Sequence, residues 1–175
     1  MALSKRRQQE IQDLATPGVP PGTPEELWNN AAALDSLIRA ADRKRKAWLQ
    51  SAVDPKELHH FAKNWHWDGG GGKPLLPLVE NPHCDAGTML MLFWLGGGED
   101  SYFQYDRINE IDSDFDREIH RVLRRIEKKL VNNDYATANI FFAPSSFISM
   151  YDRRNEFARR IPDILYQSIG RKPRR

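Results

Sequence analysis

Apolar residues recur at helical spacing in three stretches of the chain. The first joins Leu27, Ala31, Leu34, Ile38 and Ala41, with Leu37 beside them. The second joins Leu58, Phe61, Ala62 and Trp65, and the third Phe115, Ile119, Val122, Ile126 and Leu130, with Leu123 adding width. Each follows an N-terminal capping signal. Thr23, Pro24 and Glu26 supply a cap, a pre-set first turn and a capping box, so the first helix is predicted to start there. Trp48 and Leu49 are expected to fold back onto its core side. Asp54, Pro55 and Glu57 repeat the device for a second helix that ends before Asp68. Ser113 and Asp116 cap a third, from Asp114 to about Asn132. A fourth helix, Ala86 to Leu95 behind Asp85, is apolar nearly all round and is expected to be the central core element. A buried strand competes for that run, because periodicity alone does not separate the two.

Glycine and proline mark the breaks. Three prolines and two glycines in TPGVPPG, residues 16–22, forbid a helix and place the edge of the compact domain at 22. Residues 1–22 are expected to be a flexible arm with a short charged helix over Ser4 to Leu14. Residues 23–170 read as one helical domain, and residues 171–175 as a mobile basic tail. Gly69 to Gly72 are expected not to hold a helix. Pro74 to Val79 reads as a short helix cut off by Asn81-Pro82. Ala138 to Ala143 reads as a short strand, Arg153 to Arg160 as helical, and Asp163 to Ile169 as a last helix. The fold class expected is mainly α: a compact, bundle-like single domain with room for one short strand or hairpin near 138–150.

Composition agrees with a folded domain: 175 residues, 40% hydrophobic and 29% charged. One cysteine excludes an internal disulfide framework and a cysteine-based zinc site. No apolar run follows the basic N-terminal residues, and Met89 to Leu95 is too short to span a bilayer. A cytoplasmic protein without a membrane partner is expected. The net charge of +2 conceals segregation. Eight acids and two bases lie between Glu99 and Glu118, five bases and one acid between Ile119 and Val131, and eight bases and three acids from Tyr151 onward. Such blocks steer partners, although most charge runs are solvated helix faces.

Several groups are candidates for chemistry. Trp65, His66, Trp67 and Asp68 offer two indoles and a carboxylate for a binding surface, against a packing role under the glycines. His83, Cys84 and Asp85 precede a helix, where a thiolate is stabilised, but adjacent side chains diverge and the bland reading is a buried thiol beside a cap. His59, His60, His66 and His83 lack metal-ligand spacing, so no metal and no cofactor are expected. Asp112, Asp114 and Asp116 mimic a calcium loop that fails at Arg117 and Leu123. Gly69 to Lys73 is not a phosphate loop, because Pro74 stands where the hydroxyl belongs. The basic runs at Arg43 to Lys46, Arg121 to Lys129 and Arg153 to Arg160 suit phosphates, but no nucleic-acid motif accompanies them.

The central stretch resembles a bacterial domain of unknown function. The residues that carry the resemblance are Asn64, Trp67, Asp68 and Gly69, then Asn81, Pro82, Cys84, Asp85, Gly87 and Thr88. Tyr135 and the Ile161 to Leu165 segment extend it over roughly residues 50–170. Gly70 to Gly72 depart from the pattern. The resemblance implies no activity; some members accompany secreted toxins, which implies an immunity protein. The leading expectation is therefore a non-enzymatic protein-binding module that occludes a cognate toxin. Asp106, Glu110, Asp112, Asp114 and Asp116 would steer encounter, and Trp65, Trp67 and Asp68 would add anchors. Two alternatives are a small hydrolase or transferase with a pocket near Trp67, Asp68 and Cys84, and a nucleic-acid-associated accessory protein, which ranks below a protein partner.

Overall fold

The computed structural model describes residues 2–172. Eight α-helices run through them: α1 Lys5–Ala15, α2 Ala31–Ser51, α3 Pro55–Lys63, α4 Trp67–Gly70, α5 Leu76–Glu80, α6 Ala86–Leu95, α7 Gly98–Gln104 and α8 Asp114–Val131. The fold is compact and all-α, with short 3-10 turns between helices and along the chain after α8. No sheet forms among the described residues, and none of their helices is long and apolar enough to cross a membrane.

Helix α6 is the centre. Every residue from Ala86 to Trp94 is buried, so a helix with no polar face is covered on all sides, chiefly by α3, α7 and α8. Burying each large apolar side chain contributes about 1.5–3 kcal/mol, far more than helix propensity does. Phe93 meets Trp94 and Tyr102 edge to face, at 5.6 and 5.3 Å between ring centroids. The Trp94 indole donates to the Leu165 carbonyl at 2.9 Å, which satisfies its buried N–H. The caps behave as the sequence predicts: Asp54, Asp85 and Ser113 start α3, α6 and α8, and each accepts a backbone N–H of its own first turn. On α8, Val122, Leu123, Ile126 and Leu130 face the core while Phe115 stays exposed.

The segment expected to be a flexible arm contains α1, whose Ile11 and Ala15 are fully buried against the domain. Long-range polar contacts explain why. Arg7 forms a fork with Glu57 of α3, Nε to Oε1 at 2.6 Å and Nη2 to Oε2 at 2.5 Å. Buried Arg45, from the basic run of α2, donates to the Leu14 and Thr16 carbonyls at 2.7 and 2.8 Å and so caps the C-terminus of α1. Its guanidinium also lies over the Trp65 ring at 5.5 Å. The compact unit therefore includes residues ahead of 22.

Other expectations are corrected locally. The first long helix begins at Ala31, capped by Asn30, and only a 3-10 turn, Glu25–Leu27, follows Thr23 and Pro24. No strand or hairpin forms near 138–150. The Asn139 and Ile140 N–H groups are taken by the Asp85 carboxylate, so only an isolated antiparallel bridge, Phe142 to Ile169, remains. That bridge draws Ile169 out of the last predicted helix, which shrinks to the turn Asp163–Tyr166. Arg153 to Arg160 likewise keeps only the 3-10 turn Tyr151–Glu156, because the Ala158 and Arg159 N–H groups cap the α7 carbonyls of Phe103 and Tyr102. Residues 173–175 of the basic tail lie outside the described residues.

Of the four glycines, Gly69 and Gly70 enter a helix, the single turn α4, which ends at Gly71 with a positive φ of 60°. Their role is close approach. A Cβ on Gly70 would overlap the Trp65 ring, and one on Gly72 would overlap the Glu118 carbonyl of α8. Gly72→Ala is expected to destabilise the protein by about 1–3 kcal/mol in urea unfolding, since rigid backbone must yield. Gly69→Ala, whose Cβ meets only the Pro17 side chain at 3.4 Å, should stay within about 1 kcal/mol of the parent.

Candidate functional site

The motif at Asn81 to Thr88 is a set of internal ties. Asn81 is buried; its Nδ2 donates to the Leu49 and Ala52 carbonyls at the end of α2, at 2.6 and 2.9 Å, and its Oδ1 accepts the His83 N–H at 2.7 Å. Asp85 is fully buried and accepts four hydrogen bonds. Oδ1 takes the Gly87 N–H at 2.9 Å and the Ile140 N–H at 3.2 Å; Oδ2 takes the Thr137 hydroxyl at 2.6 Å and the Asn139 N–H at 2.8 Å. The Ala86 N–H returns a bond to the Thr137 carbonyl at 2.9 Å. A Cβ on Gly87 would overlap the Ile140 carbonyl, so glycine lets the 137–140 segment lie on the start of α6. Thr88 Oγ1 shares a hydrogen bond with His59 Nδ1 at 3.0 Å.

Cys84 is sealed in the core, where burial, followed by the Asp85 charge, pushes its thiol up to about 12. Such a thiol is a small apolar filler and not a ready nucleophile. His83 and His66 are exposed, and His60 Nε2 lies 3.2 Å from the Gln8 carbonyl. Among the described residues no three His, Cys, Asp or Glu side chains converge as a metal set.

The tryptophan turn divides. Trp65 is 5% exposed and donates its indole N–H to the Gly71 carbonyl at 3.1 Å, so it is core, with only an edge reaching the recess beside Trp67. Trp67 is half-buried against Gly96. With exposed Asp68 and with Thr16, Pro17 and Leu95 it lines an open recess of about 610 Å³. The Trp67 indole nitrogen is buried there without a hydrogen-bond partner. A larger concavity of about 760 Å³ lies between α2 and the 73–82 segment, lined by Pro74, Leu76 and Pro77 and by Asp42, Lys46 and Glu80.

The acidic block is only partly available. Asp106 pairs with Arg159 at 3.3 Å, and Glu110 accepts the Asp106 and Arg107 N–H groups at 3.0 Å. Asp114 pairs with Arg117 at 2.6 Å yet stays 93% exposed. Asp112 and Asp116 are exposed, and Asp116 shares a small cleft with Asp100 and Tyr105.

A charged cluster that sequence spacing did not reveal lies on the other side of α8. Glu127 accepts from the Tyr102 hydroxyl at 2.6 Å and from Arg159 at 2.7 and 3.2 Å, with Arg124 3.5 Å away. Burial opposes ionisation of Glu127, but the Arg159 and Tyr102 bonds outweigh it and hold its pKa below the ordinary carboxylate value. His120 is buried beside it, bonded to Ser101 at 2.8 Å. Burial, then Arg124 and Arg159, depress its pKa. The sequence signal for this cluster is limited to the run of arginines, because Tyr102 and Arg159 come from distant segments.

Residues 53–131 match the model of a family described as a domain of unknown function, DUF4274. The match runs over α3 to α8, a span narrower than the roughly 50–170 that the motif suggests. No curated protein and no solved structure matches the chain.

Replacing Asp85 by Ala strips an acceptor from four donors, three of them backbone. A loss of at least about 3 kcal/mol in urea unfolding is expected, with faster amide exchange at 137–140 than in the parent. His59 and His120 both sit below the ordinary value of 6.5, in each case first through burial. The unfolded chain then binds more protons at mildly acid pH. Their contribution is complete above pH 6.5 and is lost as pH falls from there through the folded-state values. Urea melts at pH 7.5 and 5.5 should show this loss, and His59→Gln with His120→Gln should flatten it.

Proposed function

We propose that the protein is a non-enzymatic protein-binding module, and that its partner is a bacterial toxin neutralised by occlusion. The observation that carries this reading is the fate of the motif's polar groups. Asn81, Asp85 and Thr88 are engaged by the protein itself, and Cys84 is buried with its thiol protonated. The side chains best suited to chemistry are consumed in holding the fold, and what the surface offers a partner is segregated charge and shallow concavity. The toxin part of the reading rests on the motif resemblance. A cytoplasmic site of action fits a single cysteine kept as a free thiol.

The binding face proposed is the start of α8, where Asp112, Asp114 and Asp116 are exposed, with Asp100 beside Asp116. An acidic face of this kind would speed encounter with a basic toxin such as a nuclease. Trp67 and Asp68 are the remaining anchors of the tryptophan turn, since Trp65 is inside. Asp106 and Glu110 belong more to internal pairing and turn capping.

The test uses the intact tagged protein in nuclease-treated lysate of a native strain. One stoichiometric protein should be retained. The triple reversal Asp112→Lys, Asp114→Lys, Asp116→Lys should weaken that capture by about tenfold or more, while Asp106→Lys should act mainly on stability. Undiminished capture by the triple variant would remove the acidic face from the proposal.

A further inference from the structure

The chemistry-bearing feature left unexplained is the recess beside α8. Four arginines line it: Arg107 from the turn ahead of Ile108, Arg121 and Arg124 one turn apart on α8, and Arg159 from the C-terminal segment. Buried His120 and the apolar side chain of Ile108 complete it, and Asp106 is its single carboxylate. The recess holds about 500 Å³, within the range of small-molecule sites.

Charge is unbalanced here by construction. Glu127, behind the recess, uses its oxygens on Tyr102 and Arg159, and Asp106 faces Arg159 at 3.3 Å and Arg107 at 3.7 Å. Arg121 makes no ion pair or hydrogen bond among the described residues. Arg124 has only the 3.5 Å approach to Glu127. Each guanidinium carries five N–H donors in a planar fork, so many remain after these contacts. One of the arginines is pre-placed: Arg159 is clamped by Glu127 and by its own backbone N–H on the Tyr102 carbonyl at 2.9 Å, and its guanidinium lies over the Tyr102 ring. One fixed fork and three further guanidinia in a concavity with surplus positive charge match a group of several anionic oxygens. A single carboxylate would leave the excess largely uncompensated; two linked phosphates would not.

We propose that the Arg107, Arg121, Arg124 and Arg159 recess binds the diphosphate group of a small molecule, with Ile108 taking part of its organic portion. This site is independent of the protein-partner reading. It also predicts a proton linkage. His120 is faced by Arg124 and Arg159, by Asp106 and Glu127, and by Ser101 and Tyr102 of α7. A bound diphosphate would offset the arginine charges and raise the His120 pKa, so binding would tighten as pH falls.

The probes are inorganic pyrophosphate and ADP, titrated into the full chain while histidine ring protons are followed by NMR. Sodium chloride at matched ionic strength and a single-stranded oligonucleotide serve as comparisons. Saturable shifts centred on His120, a raised His120 pKa, and a dissociation constant about tenfold weaker in Arg107→Gln, Arg121→Gln are expected. Both substituted side chains lie outside the Glu127 clamp, so the variant should unfold at the parent's urea midpoint. Equal affinity in parent and variant overturns the proposal. So do absent saturation by both probes, and binding of the oligonucleotide alone with a steep salt dependence, which would mark a general polyanion surface.

Discussion

Buried carboxylates at helix starts hold this protein together. The chain after α8, residues 132–172, has almost no regular structure of its own, and its backbone N–H groups need partners. Asp85, at the start of α6, supplies them for Asn139 and Ile140. Glu99, in the first turn of α7, does the same for Ser149 and Met150, at 3.0 and 2.9 Å. Both sit at helix N-termini, where backbone dipoles favour negative charge. Glu127, near the end of α8 and so away from any helix start, adds a third buried carboxylate by gripping Arg159. A carboxylate withdrawn from water is costly unless its oxygens are filled, and here protein donors fill them.

That constraint runs across the edge of the matched family segment. Asp85 and Asn81 lie inside residues 53–131, yet Thr137, Asn139 and Ile140 lie beyond it, and Leu49 and Ala52 precede it. The core of the domain therefore reaches outward with polar side chains to fasten chain on either side. α1 is fastened in the same manner, through Glu57 and Arg45. The polar groups of the Asn81 to Thr88 motif are thereby satisfied from within the fold.

The two faces of α8 differ in what they leave over. At its start, exposed Asp100 and Asp116 line a small cleft; farther along, arginines outnumber acids around a larger recess. The same helix thus presents opposite charge within three turns. This arrangement suits the helix dipole, with acids first and bases last, and also gives the molecule two chemically distinct surfaces.

Local signals determined the helices that stand on them. Asp54, Asp85 and Ser113 cap α3, α6 and α8 where their spacing to the following apolar runs predicts, because a cap acts within one turn. The apolar run of α6 announced its own burial. What sequence could not assign was the work of side chains whose partners are far away. Asp85 bonds to residues 52, 54 and 55 positions on, Arg7 to one 50 away, and Tyr102 to Glu127, 25 away. Tertiary structure alone decided that the arm is part of the core, that 138–150 forms no hairpin, that Trp65 lies inside, and that four arginines share one recess. Periodicity and capping are read along a turn of helix, whereas these outcomes depend on which distant donors and acceptors meet when water is excluded.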